Sequence, residues 1–177
     1  MNEISDPRYP IGKFDHEGIA SSEQIAGWID DIELLPRLLR TAVEPLSEAQ
    51  LDTPYRTGGW TLRQVVHHIP DSHLNSYIRF KWALTEDEPL IKAYDEGHWA
   101  ELSDYRLTPV EVSLGLLEQL HARWVVLLRG LSSEDLSRRY RHPEAGTTDL
   151  ARTIGLYAWH GRHHLAHITA TTEREGY

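Results

Sequence analysis

Four histidines crowd a short stretch near the end of the chain: His160, His163, His164 and His167. His160 and His164 are four residues apart, which on a helix stacks two imidazoles one turn apart on the same side. Two imidazoles so placed can grip one metal ion, as the pair in a helical H-E-x-x-H zinc site does. His167 continues the stripe one turn on, and His163 points toward solvent. A plainer use of such a pair is a polar step at a core boundary, hydrogen-bonded to carbonyls or water. A third ligand has to come from another helix, where His67 and His68 stand side by side. They flank the apolar stripe of that helix on opposite sides, and periodicity does not choose between them. His73 lies on the apolar face and reads as a core residue with its polar atoms satisfied. His16, His98, His121 and His142 read as surface or loop residues, with His98 in a loop that could reach the site.

Composition narrows the chemistry. There is no cysteine, which excludes disulfides, thiol nucleophiles and thiolate-held metal and leaves nitrogen and oxygen as the donors. The formal charge is 18 − 27 = −9, so nucleic acid is not the expected partner, since binding phosphates needs a basic patch. No apolar run approaches the roughly 18–20 residues that span a bilayer, and Met1 to Pro10 has no apolar stretch to serve as an export signal. The expectation is one cytoplasmic domain, residues 1–177, acting on a small-molecule substrate without nucleic acid or membrane.

Four helical segments must position these histidines. The first spans about Ser22 to Val43, opened by a Ser21/Gln24 capping box and striped by Ile25, Trp28, Ile29, Ile32 and Leu35. Pro36 should kink or break it. The second spans about Leu62 to Leu84, after the Gly58-Gly59 breaker and a Thr61/Gln64 box, with Pro70 inside. The third spans about Pro109 to Arg129, with Thr108 as N-cap, Glu111 as its partner and Gly130 at the end. The fourth spans about Asp149 to Glu173, capped by Thr147 or Thr148. On it His164 lies about 50–60° and His160 about 90–100° from the centre of the buried face. Gly161 and Ala158 let a neighbour approach beside the pair.

An internal echo organises these segments. Leu46-Ser47, Leu51 and Tyr55-Arg56 recur at the same offsets as Leu131-Ser132, Leu136 and Tyr140-Arg141. Each copy follows a long helix and precedes one that carries histidines. The chain therefore reads as all-α, two helical hairpins in tandem joined by a long connection from Thr85 to Leu107, packed into a four-helix bundle. A connection of that length is expected to be functional or partly structured.

Other polar residues near the histidines offer lesser roles. Asp71, one turn past His68, is a candidate to orient a ligand or a bound water, or to act as a base; it reads equally as an exposed helical acid. Asn75 and Arg79 extend the same side and read as a solvated face. Asp95 and Glu96 are candidate general bases from the loop. No Ser-His-Asp order, phosphate loop or dinucleotide fingerprint is present.

The segments LDTPYRTGGWTLRQVVHHIPDSHLNSYIRFK and GLYAWHGRHHLAHI resemble the YfiT group of metal-dependent hydrolases in the DinB-like superfamily. The resemblance runs from YPIGKF at Tyr9–Phe14 to the final helix. It implies a four-helix bundle, a homodimer and a three-histidine metal site. In that pattern a Trp-Ser/Thr pair opens a helix and the first ligand follows eight residues after the Trp, which from Trp60 favours His68 over His67. The Trp-His-x-x-x-His stretch supplies His160 and His164. Pro70 departs from the pattern, where Ala is common, and bears on the geometry beyond His68. Three neutral imidazoles leave one divalent ion its full charge and an open position, which favours catalysis over scaffolding. Zinc is the expected ion and nickel is possible. The implied activity is metal-dependent hydrolysis; the alternatives are transfer of a low-molecular-weight thiol, as other DinB-like proteins do, and a non-enzymatic metal-binding module.

Overall fold

Side chains set most of the helix starts. Ser21 Oγ accepts from the Gln24 N–H at 3.2 Å while Gln24 Oε1 accepts from the Ser21 N–H at 2.9 Å. Thr61 and Gln64 repeat this reciprocal arrangement, so two orphan donors are satisfied at each terminus. A computed structural model describes residues 6–16 and 18–177; the first half of the stretch Met1–Pro10, read above as no export signal, lies outside them. In chain order the elements are α1 (Ser22–Val43), α2 (Glu48–Leu51), α3 (Leu62–Thr85), α4 (Glu96–Ala100), α5 (Asp104–Leu107), α6 (Val110–Arg129), α7 (Ser133–Ser137), β1 (Arg139–His142), β2 (Gly146–Asp149) and α8 (Leu150–Glu175).

Two caps differ from expectation. The α6 cap is Pro109, which makes no side-chain cap bond; Thr108 lies one residue too early. The α8 cap is Asp149, whose carboxylate accepts from the Arg152 N–H at 2.7 Å. Thr147 and Thr148 are instead engaged in β2, opposite Arg141 and Tyr140 in the antiparallel hairpin with β1. Pro36 and Pro70 do not end their helices: α1 and α3 run through both, each losing one backbone hydrogen bond.

The echo is structural. Ser47 caps α2 and Ser132 caps α7, each in a capping box. After each, the chain reverses into a histidine-bearing helix. Pro54 pairs with Thr61 in an isolated bridge, and β1 pairs with β2. Each reversal uses a glycine with positive φ, Gly58 at 68° and Gly146 at 80°, a conformation other residues adopt at a cost.

The four long helices form the bundle. Both α1 and α3 pack on α6 and α8, which places α1 and α3 across its diagonal. The tandem hairpins of the sequence thus interleave rather than lie side by side. The apolar core falls into two clusters. One gathers Ile29, Ile32, Phe80, Trp124, Leu128, Leu150 and Ile154. The other gathers Leu35, Leu39, Leu62, Val65, Val66, Ile69, Leu114, Leu117 and Ile168. His73, His121, His160 and His164 fall on their helices at the boundary between the two.

Small residues bring α8 against α1. A Cβ on Gly161 would run into the Leu35 side chain, and one on Gly155 would lie 2.9–3.0 Å from three ring atoms of Trp28. The flexible end of Leu35 can turn aside, whereas the indole is a rigid plate. Helix propensity favours Ala over Gly by about 1 kcal/mol, and overpacking costs about 1–3 kcal/mol. Gly155→Ala is therefore expected to destabilise the protein by roughly 1 kcal/mol, the difference of those terms. Urea denaturation checks this; an unchanged or raised midpoint contradicts the close approach.

Candidate metal centre

The α3 helix carries two adjacent histidines in different directions. His67 turns toward α6, its Nδ1 2.7 Å from Ser113 Oγ, with its ring beside Tyr105 at 5.5 Å. His68 turns toward α8, its Nε2 3.3 Å from His160 Nε2. His164 completes the group: its ring lies 4.5 Å from His160 and 4.8 Å from His68, near-perpendicular to both. One ring nitrogen from each of His68, His160 and His164 falls within 4.8 Å of the other two. The structure thus brings together the pair His160/His164 and, from the neighbouring helix α3, His68 rather than His67.

The surroundings keep the three rings neutral. Burial lowers the pKa of His68 to about 4, with the nearby His163 adding to the effect. Burial likewise pushes His160 and His164 well below the ordinary imidazole value, helped by the other histidines around them. Neutral imidazole is the metal-binding form. Trp60 packs on His68 at 4.7 Å and on His164 at 6.5 Å, covering one side of the group.

Ser72 brings a hydroxyl, its Oγ 3.4 Å from His160 Nε2. Ser72 is one turn beyond His68, a spacing that could have flagged it in the sequence. Tyr94, from the long connection, is held neutral by burial, partly offset by hydrogen bonding with Ser72. The connection is partly structured, as its length suggested, being helical in α4 and α5, and its Tyr94 and Tyr105 reach Ser72 and Asp71 on α3.

The remaining sequence candidates fare differently. Asp71 accepts a hydrogen bond from Tyr105 Oη at 2.7 Å and makes none to the triad; burial raises its pKa. Asn75 donates to the Asp71 carbonyl. Arg79 is buried rather than solvated, its guanidinium directed at the Lys92 carbonyl. Asp95 caps α4 and pairs with the exposed His98 at 2.7 Å, so both are engaged with each other. Glu96 is exposed in the first turn of α4.

Two histidines lie where the sequence did not put them. His163 is buried, stacked on Trp159 at 4.5 Å and within 6.0 Å of Tyr9: the N-terminal segment covers a face that α8 alone would leave in water. His121 is also buried, inside α6 between Leu117 and Trp124. The apolar stripe Leu114, Leu117, Trp124 and Leu128 marks that face and was the signal available.

His163, His164 and His167 form a second close group, with His167 Nδ1 3.3 Å from His164 Nδ1. It shares His164 with the first group and draws on one helix alone. Cavities of about 770, 680 and 490 Å³ open elsewhere on the surface, and no triad residue lines them. The second has His167 in its wall, with Tyr55, Arg56 and Arg174. The site is therefore placed by donor chemistry rather than by cavity size.

With the fold and the histidine cluster in view, similarity to known proteins becomes informative. The sequence profile of the DinB superfamily matches residues 31–168. The chain belongs to the DinB superfamily. A relative from Oceanobacillus iheyensis, named "Putative metal-dependent hydrolase", is 55% identical over 175 residues, covering 99% of both chains. A relative of the same name from Bacillus cereus is 59% identical over 171 residues, covering 97% of this chain and 98% of its own. The solved structure of YfiT from Bacillus subtilis, described as a four-helix bundle of unusual topology, superposes with a TM-score of 0.95 at 48% identity over 97% of this chain and 98% of that one. TT2238, a four-helix bundle protein, shares the fold alone, with a TM-score of 0.58 at 18% identity over 82% of this chain and 98% of that one. The resemblance drawn from the two histidine segments is borne out.

The depressed histidines make stability depend on pH with a definite sign. In the metal-free protein, His68, His121 and His167 titrate near 4 when folded and near 6.5 when unfolded. Between those values the unfolded chain binds more protons, so stability falls as the pH falls from about 6.5 toward 4. A fully buried ring such as His121 contributes roughly 3 kcal/mol across that window. Urea midpoints of metal-free protein are expected to drop steeply between pH 7 and 4; a flat profile contradicts neutral burial.

Proposed function

We propose that His68, His160 and His164 hold one divalent metal ion, zinc as the expected native ion, and that the protein is a metal-dependent hydrolase of a small-molecule substrate. The observation that carries this reading is the convergence of three neutral imidazole nitrogens, from two helices that meet only in the folded bundle. The donor set fits such an ion. It contains no carboxylate, so the ion keeps its full positive charge, and three protein donors leave a coordination position open. When bound, a divalent ion there supplies Lewis acidity and lowers the pKa of water to about 7. The names carried by relatives more than half identical to this chain over nearly its whole length point the same way.

The chain's own residues define the rest. Trp60 covers one side of the triad and limits solvent there. Ser72 Oγ, beside His160, can orient a water or a substrate oxygen at the open position. Tyr94, kept protonated by burial, sits with Ser72 and can donate a hydrogen bond to the same group. Asp71 is tied to Tyr105. Its contribution is to fasten the α5 end of the connection against α3 rather than to serve as the base.

Two measurements test the reading. Elemental analysis of untagged protein is expected to give about one metal ion per chain. His68→Ala, His160→Ala and His164→Ala should each lose it while far-UV circular dichroism stays helical, and His67→Ala should keep it. Retention of metal by any of the first three sinks the ligand assignment. Turnover of ester, amide or phosphoester substrates in water alone supports hydrolysis. Turnover only with an added thiol would assign the site to thiol transfer, since the chain supplies no cysteine.

A further inference from the structure

His73 and His121 are outside the triad, yet they are more deeply buried than its members, at 0% and 1% exposure. They continue it into the bundle. His160 Nδ1 lies 3.1 Å from His73 Nε2. His73 Nδ1 lies 2.8 Å from His121 Nε2. His121 Nδ1 lies 2.6 Å from the carbonyl oxygen of Ile32 on α1. Three imidazoles and one carbonyl thus form a single file across all four long helices.

The direction of this file is fixed from its far end. A carbonyl oxygen only accepts, so His121 Nδ1 carries the proton and donates it. In a neutral ring, Nε2 of His121 is then a lone pair and accepts from His73 Nδ1. His73 Nε2 is in turn a lone pair and accepts from His160 Nδ1. His160 Nε2 is left as a lone pair, and it is the atom that faces His68 Nε2 across the triad. Burial supports neutrality at every step: it holds His73 and His160 well below the ordinary imidazole pKa and His121 at about 4. The aromatic neighbours hold the middle ring in place, with Trp124 and Tyr157 edge-on to His73 at 5.8 and 5.2 Å.

The anchor has its own cause in the sequence. In an α-helix the oxygen of residue i accepts from the N–H of residue i+4. For Ile32 that residue is Pro36, which lies inside α1 and has no N–H. The proline leaves the Ile32 carbonyl without its helical donor, and His121 takes that place.

We propose that Pro36, Ile32, His121 and His73 form a tautomer lock that fixes His160 with its proton on Nδ1 and presents its Nε2 lone pair to the triad. His73 and His121 are positioning residues in this arrangement. The file is not a proton exit, because its last member is a buried carbonyl that cannot pass a proton on. Only the final link, from His160 Nε2 to an ion, rests on the metal reading above. His68 has no such support, since its Nδ1 is buried without a hydrogen-bond partner among the described residues. The preorganisation falls on His160.

Two readouts test the lock, and neither needs activity. The first is long-range ¹H–¹⁵N NMR of histidine-labelled, metal-free protein, with His160→Ala and His73→Gln spectra to assign the rings. The expected result is that His160, His73 and His121 are all neutral Nδ1–H tautomers; a His160 ring protonated on Nε2 overturns the lock whether or not that ring binds metal. The second is zinc affinity by chelator competition. Loss of a hydrogen-bond partner behind a metal-binding histidine typically weakens affinity about 10- to 100-fold, so His73→Leu should fall by that much. His73→Gln should recover most of the loss, because its Oε1 can accept where Nε2 did. Equal affinity of wild type and His73→Leu overturns the proposal. Pro36→Ala restores a competing donor for the Ile32 carbonyl. It should raise the thermal midpoint while weakening zinc binding, opposite signs that a purely structural role would not produce; unchanged or tighter binding removes Pro36 from the lock. Retention of metal by His160→Ala is a separate failure, of the ligand assignment alone.

Discussion

Burying several imidazoles at mid-bundle is the constraint around which the rest of this molecule is arranged. A charged imidazole there would face a large desolvation penalty, so the rings stay neutral. A neutral imidazole has one donor and one acceptor, and each buried nitrogen left unpaired costs about 1–3 kcal/mol. The inner histidines meet this by bonding to one another, and the chain of bonds needs a terminus that only accepts. A helical carbonyl deprived of its own donor is such a terminus, and Pro36 creates it. A residue that looks like a defect in α1 therefore has a reason that lies on another helix.

The same layer explains why the core is divided. On either side the helices meet through ordinary apolar packing, around Trp124, Phe80 and Ile154 in one cluster and Leu117, Leu62 and Ile69 in the other. These clusters supply the burial that drives folding. The polar layer between them is held in register by its neighbours. A bundle with an apolar core throughout would gain stability and lose the convergence of ring nitrogens from α3 and α8. Helix order matters as well: because α1 and α3 lie across the diagonal, α3 meets α8 directly and His68 can reach His160.

Most of the framework was legible in the sequence, because capping boxes and 3.6-residue periodicity are local signals. Ser21/Gln24, Thr61/Gln64 and Gly130 mark the ends of α1, α3 and α6 where the chain turns. What escaped was non-local. Thr147 and Thr148 read as helix caps because a hairpin partner in β1 cannot be seen from one segment. His163 read as exposed because the Tyr9 segment that covers it lies far away in the chain. His121 read as a surface residue on residue type, although its stripe with Leu117 and Trp124 faces inward. Periodicity alone could not choose between His67 and His68, since both flank the same stripe and only the position of α8 separates them.

His68 and His160, whose Nε2 atoms face each other at 3.3 Å, differ in how they are held, and this bears on how the proposed site would work. His160 is backed by a continuous file of hydrogen bonds to the backbone of another helix. His68 has an unpartnered Nδ1 and is held by ring packing against Trp60 and His164. In the proposed site, His160 would be the better-fixed donor for an ion and His68 the less constrained one. Ser72 and Tyr94 stand on the His160 side of the group, so in the proposed site the polar groups that would meet a substrate are registered to the better-held ring. Preorganisation of this kind lowers the cost of assembling the reacting groups. In this bundle it comes from the interior, where packing is tightest, rather than from the loops.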